Sequence, residues 1–165
     1  MHNVTMIRDV LPHSPEFYLP VIVALVLMRA SHRLGMWPYA MLALPGTIAH
    51  EFAHYLVALV LGASPSFPTL LPQRTTHGWR LGSVTFRAGF VRALPIALAP
   101  IVLLPLAIWW MATFMAPATG WAHYLHAWIV AALVSASLPS SADFKLALPA
   151  LGVLAVAALA YAYLT

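Results

Sequence analysis

The chain has 165 residues, of which 62% are hydrophobic and only 7% charged, with a formal net charge of +4. A soluble domain carries about 25% charged residues, so this composition excludes one and indicates a single integral membrane domain over residues 1–165. The positive charge is too small and too dispersed for nucleic-acid binding, and with no cysteine there is no disulfide or thiolate metal site.

In chain order, the first sixteen residues hold Arg8, Asp9, Glu16 and two prolines, and do not read as a cleavable signal peptide. An apolar run from Phe17 ends in Arg29, His32 and Arg33. Over residues 17–34 it reads as a short or tilted first helix, or as an interfacial one, with its cations reaching to the membrane surface. Residues 39–62 read as a second helix of about 36 Å, long enough to span, with Trp37 and Tyr39 at one interface. Gly62 and Pro65 close it. Pro45-Gly46 is expected to loosen it and to offer a way in for water or substrate.

Residues 64–89 form the long polar stretch. Pro65, Pro68 and Pro72 exclude helix, and Trp79 to Phe86 has strand-like composition, which predicts a β-hairpin at the membrane surface. It is either a plain connector or an edge to which an unwound peptide adds a strand. A third helix is expected over residues 90–115, bent by Pro95, Pro100 and Pro105. A fourth runs over 121–138 and a fifth over 144–164. The fold class is therefore an all-α polytopic membrane protein of about five transmembrane helices, with the hairpin between the second and third. Arg8, Arg74, Arg80, Arg87, Arg92 and Lys145 fall on one side against Arg29 and Arg33. The positive-inside rule then puts the hairpin in the cytoplasm, at an inner membrane of bacterial type.

The chemistry is concentrated in His50-Glu51-Phe52-Ala53-His54. On a helix, positions i and i+4 share a face, so His50 and His54 present two imidazoles to one ion, with Glu51 beside them. H-E-x-x-H is the arrangement of zinc hydrolases: two neutral His ligands, an open coordination position and a general base. The chain has four acidic residues in all. A carboxylate at mid-membrane costs about 2.5–3.5 kcal/mol on insertion scales, so Glu51 calls for a role.

A catalytic zinc takes a third protein ligand. Asp9 and Glu16 precede the first helix and are expected in solvent. Asp143 follows the break at Pro139-Ser140-Ser141 and is the favoured candidate, although a carboxylate in a first helical turn is also explained by the helix dipole. His123 and His126 are the rival ligands, more naturally placed at the interface beside Trp121 and Tyr124. His2, His13, His32 and His77 are expected in solvent.

These features resemble the site-two protease family of intramembrane zinc metalloproteases, in a minimal form without a PDZ domain. The resemblance runs from about Tyr39 to Leu151, and its most specific part is His50 to Ala58. It departs from the family around Asp143, where no glycine follows and serine stands where asparagine is usual. The resemblance implies one Zn2+ per chain on His50, His54 and Asp143, with Glu51 as catalytic acid and base. It implies a membrane-protein substrate cut in or near a transmembrane segment, within the lipid bilayer. Ser135, Ser137 and Ser140 are candidate hydrogen-bond donors around the ligands or substrate. The alternative is a non-proteolytic metal-binding scaffold or transporter component, which has no use for Glu51. A membrane hydroxylase would need more His clusters. A protease with a later Glu ligand is excluded, because no Glu follows Glu51.

Overall fold

The computed structural model describes residues 12, 14–75 and 78–164. The readings made of Arg8, Asp9, His2, His13 and His77, and of the hairpin turn, lie outside the described residues. α1 (Pro15–Ser31) opens with Pro15 at its first position, where a missing N–H costs nothing. Glu16 sits in its first turn and Arg29 in its last, each at the dipole end it complements. A 3₁₀ turn, His32–Leu34, extends it to Gly35, whose φ of 122° turns the chain into α2 (Met36–Val60). α2 closes on Gly62 (φ 65°), with the Ala63 N–H on Ala58 O and the Gly62 N–H on Leu59 O. That paired closure consumes two carbonyls a helix end would otherwise strand.

The polar stretch forms a ragged antiparallel ribbon. β1 (Gln73–Thr75) and β2 (Gly78–Arg80) pair with Gln73 opposite Arg80 and Arg74 opposite Trp79. Below them the pairing continues in steps. Thr69 and Ser83 exchange backbone bonds of 3.0 Å, Ser66 N–H donates to Thr85 O, and Arg87 N–H to Ala63 O.

The expected third helix changes type at its prolines. α3 (Phe90–Leu98) tightens into a 3₁₀ turn (Ala99–Val102), resumes as α4 (Leu103–Trp110) and ends in a π turn (Met111–Met115). α5 (Trp121–Ala136) stops two residues before its expected end at Leu138, because the residue before Pro139 is pushed out of helical geometry. α6 is Ser141–Leu164.

α5 lies at the centre. Ala127, Val130, Ala131, Ala132 and Leu133 pack against Phe17, Val21 and Met28 of α1, Ala43 of α2, and Leu103 and Ala107 of α4. The alanine-rich face allows close approach, most of all at Gly46. A Cβ there would overlap the Ala132 carbonyl and lie 2.9 Å from Ala136 Cβ. α2 therefore runs unbroken through Pro45-Gly46. The pair that was expected to loosen the helix is instead its tightest contact, and Trp128 Nε1–H reaches Leu42 O (2.8 Å) in the turn that Pro45 disturbs. α6 packs on α3 through Ala147 and Ala150, and beyond Ala150 its residues are exposed.

Three helices are long and apolar enough to cross a membrane: Pro15–Leu34, Phe90–Met115 and Ser141–Leu164. Their exposed surfaces are mainly apolar, with leucine, valine and isoleucine beside aromatic side chains such as Phe90, Trp109 and Tyr161. α2 has the length, at 25 residues, but His50, Glu51 and His54 interrupt its apolarity. α5, at 16 residues, is shorter than a full span.

Candidate metal centre

His50, His54 and Asp143 come together as a group able to hold a metal ion. α2 supplies the two imidazoles one turn apart, and the start of α6 brings the carboxylate to them. His50 Nε2 and His54 Nε2 are 3.1 Å apart. Asp143 straddles them, with Oδ2 3.5 Å from His50 Nε2 and Oδ1 3.3 Å from His54 Nε2. For bonds of ~2.0–2.1 Å, the edge of a zinc tetrahedron is roughly 3.3–3.5 Å; the two His–Asp separations match it and the His–His separation is slightly shorter.

The rings are fixed from behind. His50 Nδ1 lies 2.7 Å from Ala136 O, and His54 Nδ1 lies 2.7 Å from Ile96 O. A carbonyl can only accept, so each Nδ1 carries a proton, and Nε2 is the ring atom turned toward the other imidazole and toward Asp143. A backbone carbonyl behind each ligand imidazole is how metal sites set tautomer and orientation.

Proline makes both carbonyls available. In an uninterrupted helix Ile96 O would accept from residue 100, but Pro100 has no N–H. Ile96 O takes the Ala99 N–H in a tightened turn and keeps a lone pair for His54. Ala136 O would accept from residue 140, but Pro139 ends the helix and the Ser140 N–H goes to Asp143. Sequence reasoning took Pro100 as a bend and Pro139 as a helix break, and gave neither a part in freeing a carbonyl. The signal it passed over is a proline three or four residues after a carbonyl that an imidazole can use.

Asp143 is also held as a helix-start residue. Ser140 N–H donates to Asp143 Oδ2 at 2.7 Å, and Asp143 N–H donates to Ser140 Oγ at 3.2 Å, a reciprocal cap. The dipole reading and the ligand reading of Asp143 are thus compatible.

Glu51 is buried, as is His54, while the other carboxylates and every Lys and Arg among the described residues are not. Gly82, just past β2, lies directly over it: a Cβ at residue 82 would sit 2.7 Å from Glu51 Cγ and 2.8 Å from Oε1. Sequence reading gave Gly82 no role, since the contact joins residues far apart in the chain. A cleft of about 890 Å³ contains His50, Glu51, His54 and Asp143, with Thr47 along α2, Ser135 and Ala136 on α5, and Leu81 to Val84 of the ribbon as its walls.

The remaining candidates separate clearly. Of the three serines, only Ser140 touches a ligand. Ser137 is buried and turns back to Val134 O, and Ser135 is exposed on the cleft wall. His123 sits on Met115 O and edge-on to Phe17, and His126 Nδ1 accepts Trp110 Nε1–H, so both belong to helix packing around α4 and α5. His32 stacks on Tyr39 at 3.5 Å between ring centres. Glu16 is exposed at the start of α1.

Compared with known family models, with curated proteins and with solved structures, the chain matches none.

Proposed function

We propose that the chain is an intramembrane zinc metalloprotease, cutting peptide bonds in or near a transmembrane segment of a membrane-protein substrate. One observation carries this reading. Two imidazoles and one carboxylate converge at ligand separations beside a buried glutamate, in a cleft walled by a strand. Bound at His50, His54 and Asp143, zinc supplies a Lewis acid that polarises a carbonyl and makes water a nucleophile near neutral pH.

The protein's own groups do the rest. Glu51 takes a proton from the attacking water at a carboxylate oxygen and passes it to the amine nitrogen that leaves. Gly82 covers its side chain from the ribbon side and fixes where the carboxylate sits in the cleft. The Ala136 and Ile96 carbonyls hold both imidazoles in the tautomer that leaves Nε2 free to bind.

A helical substrate must unwind before its peptide bond is reachable, and the ribbon offers a template. Ser83, Thr85 and Arg87 turn their backbone groups toward the outgoing limb of the ribbon. In an extended strand, Gly82, Val84 and Phe86 then turn theirs the other way. All three line the cleft, so an unwound segment adds there as a strand. The membrane arrangement that goes with this reading is multi-pass, about five helices with the ribbon on the cytoplasmic side.

The test is a purified, detergent-solubilised chain given a labelled transmembrane peptide library. Zinc at about one ion per chain, with cleavage in wild type and none in Glu51→Gln, supports the protease. Zinc bound at the same level with no peptide cut by either protein supports the scaffold instead.

A further inference from the structure

A second cavity lies on the other side of Tyr39 from the metal centre. It measures about 280 Å³ and is bounded by Leu25, Val26, Met28 and Arg29 of α1, His32 of the following turn, Tyr39 of α2 and Ser135 of α5. Its polar groups are a guanidinium, an imidazole and two hydroxyls, and its lining contains no carboxylate. Among the described residues Arg29 and the neighbouring Arg33 form no ion pair, the ion pairs being those of His50 and His54 with Asp143. The site therefore calls for an anion. Beside Arg29 and His32 the wall is aliphatic, which a freely hydrated anion does not need and an acyl glycerol does. The position fits as well: Arg29 and His32 come near the end of the apolar stretch Pro15–Leu34, where a spanning helix meets the headgroups, and Trp37, a few residues on, is exposed.

We propose that this cavity seats one anionic phospholipid. Its phosphodiester lies on Arg29 and His32, with the Tyr39 and Ser135 hydroxyls within the same pocket, and its acyl-glycerol part lies on Leu25 and Val26. Basic pockets between membrane helices hold anionic headgroups in this way. Tyr39 and Ser135 also line the catalytic cleft, so the lipid and the cleft share a wall.

The test uses the full chain in a neutral detergent, with phosphatidylglycerol and phosphatidylcholine as probes and sodium phosphate as competitor, read by native mass spectrometry. Wild type should retain one phosphatidylglycerol in preference to phosphatidylcholine. Arg29→Gln should weaken that preference about fivefold, the worth of one cation at an anionic surface. Val26→Trp, which crowds the aliphatic wall and leaves Arg29 and His32, should lower retention of phosphatidylglycerol as well. Zinc content measured on the same samples should be unchanged, which separates loss of lipid from loss of fold. Equal retention of the two lipids by wild type, or undiminished preference in Arg29→Gln with zinc content intact, overturns the proposal. Displacement of the lipid by millimolar phosphate also overturns it, because the site would then take a free anion.

Discussion

Ser140 and Asp143 cap each other at the start of α6, and the same Asp143 carboxylate faces both imidazoles of α2. One serine thus serves the helix and the ligand together. Ser140→Ala should cost about 1 kcal/mol of stability as a lost cap and should keep zinc, because the Ser140 backbone N–H that donates to Asp143 Oδ2 remains. Asp143→Ala should abolish stoichiometric zinc, whereas His126→Ala, in the α4–α5 packing, should keep it. Metal analysis after dialysis at fixed free zinc ranks the three variants. Zinc lost with His126→Ala and kept with Asp143→Ala would reverse the ligand assignment.

Glu51→Gln preserves the size and burial of the side chain and removes its ability to accept a proton. Zinc content should stay at the wild-type level while cleavage falls by about 10²–10⁴-fold, the usual contribution of a general base. Single-turnover cleavage of a labelled peptide gives the number. Retained cleavage would remove Glu51 from the chemistry.

Gly82 has no room for a side chain above Glu51. Gly82→Ala should therefore cut kcat with little change in bound zinc, by displacing the Glu51 carboxylate or lifting the strand that covers it. Gly89→Ala is the matched control, since a Cβ at residue 89 meets nothing within 4 Å. Equal activity in the two variants would show that the ribbon does not bear on Glu51.

Gly46 governs how closely α2 approaches α5. Gly46→Val should cost about 1–3 kcal/mol through overpacking. It should also loosen zinc, because separating the helices pulls His50 from Ala136 O. Adding zinc should recover part of the lost melting temperature, since a ligand of the native state stabilises it by mass action. A variant that melts and binds zinc as wild type does would show that the helices tolerate the extra volume.

The ligand group was legible because its residue types are scarce. In a chain with four acidic residues, a Glu between two His inside an apolar helix has few explanations, and a late Asp after a proline break stands out. The helices were legible to within a few residues, since α2 and α5 end where glycine or proline forces them to. The number of spans was less so: five apolar segments were expected to cross, and three meet both length and apolarity. The polar residues that make α2 chemically interesting are the ones that weaken its membrane signal. Contacts through space were not legible at all. Nothing near Gly46 or Gly82 in the chain announces Ala132 or Glu51, and the carbonyls of Ile96 and Ala136 become partners only after the helices pack.

His54 and Asp143 stand at opposite ends of the chain's middle, with the ribbon, α3, α4 and α5 between them. An ion bonded to both is a cross-link, and in a protein without cysteine it has no covalent counterpart. Closing a long loop narrows the ensemble open to the loosened chain, which is how a disulfide stabilises. Chelation should thus do more than silence the centre. It should free α6 from α2 and let the intervening helices part, so that protease nicking of the 64–72 limb and of the 137–140 break quickens together.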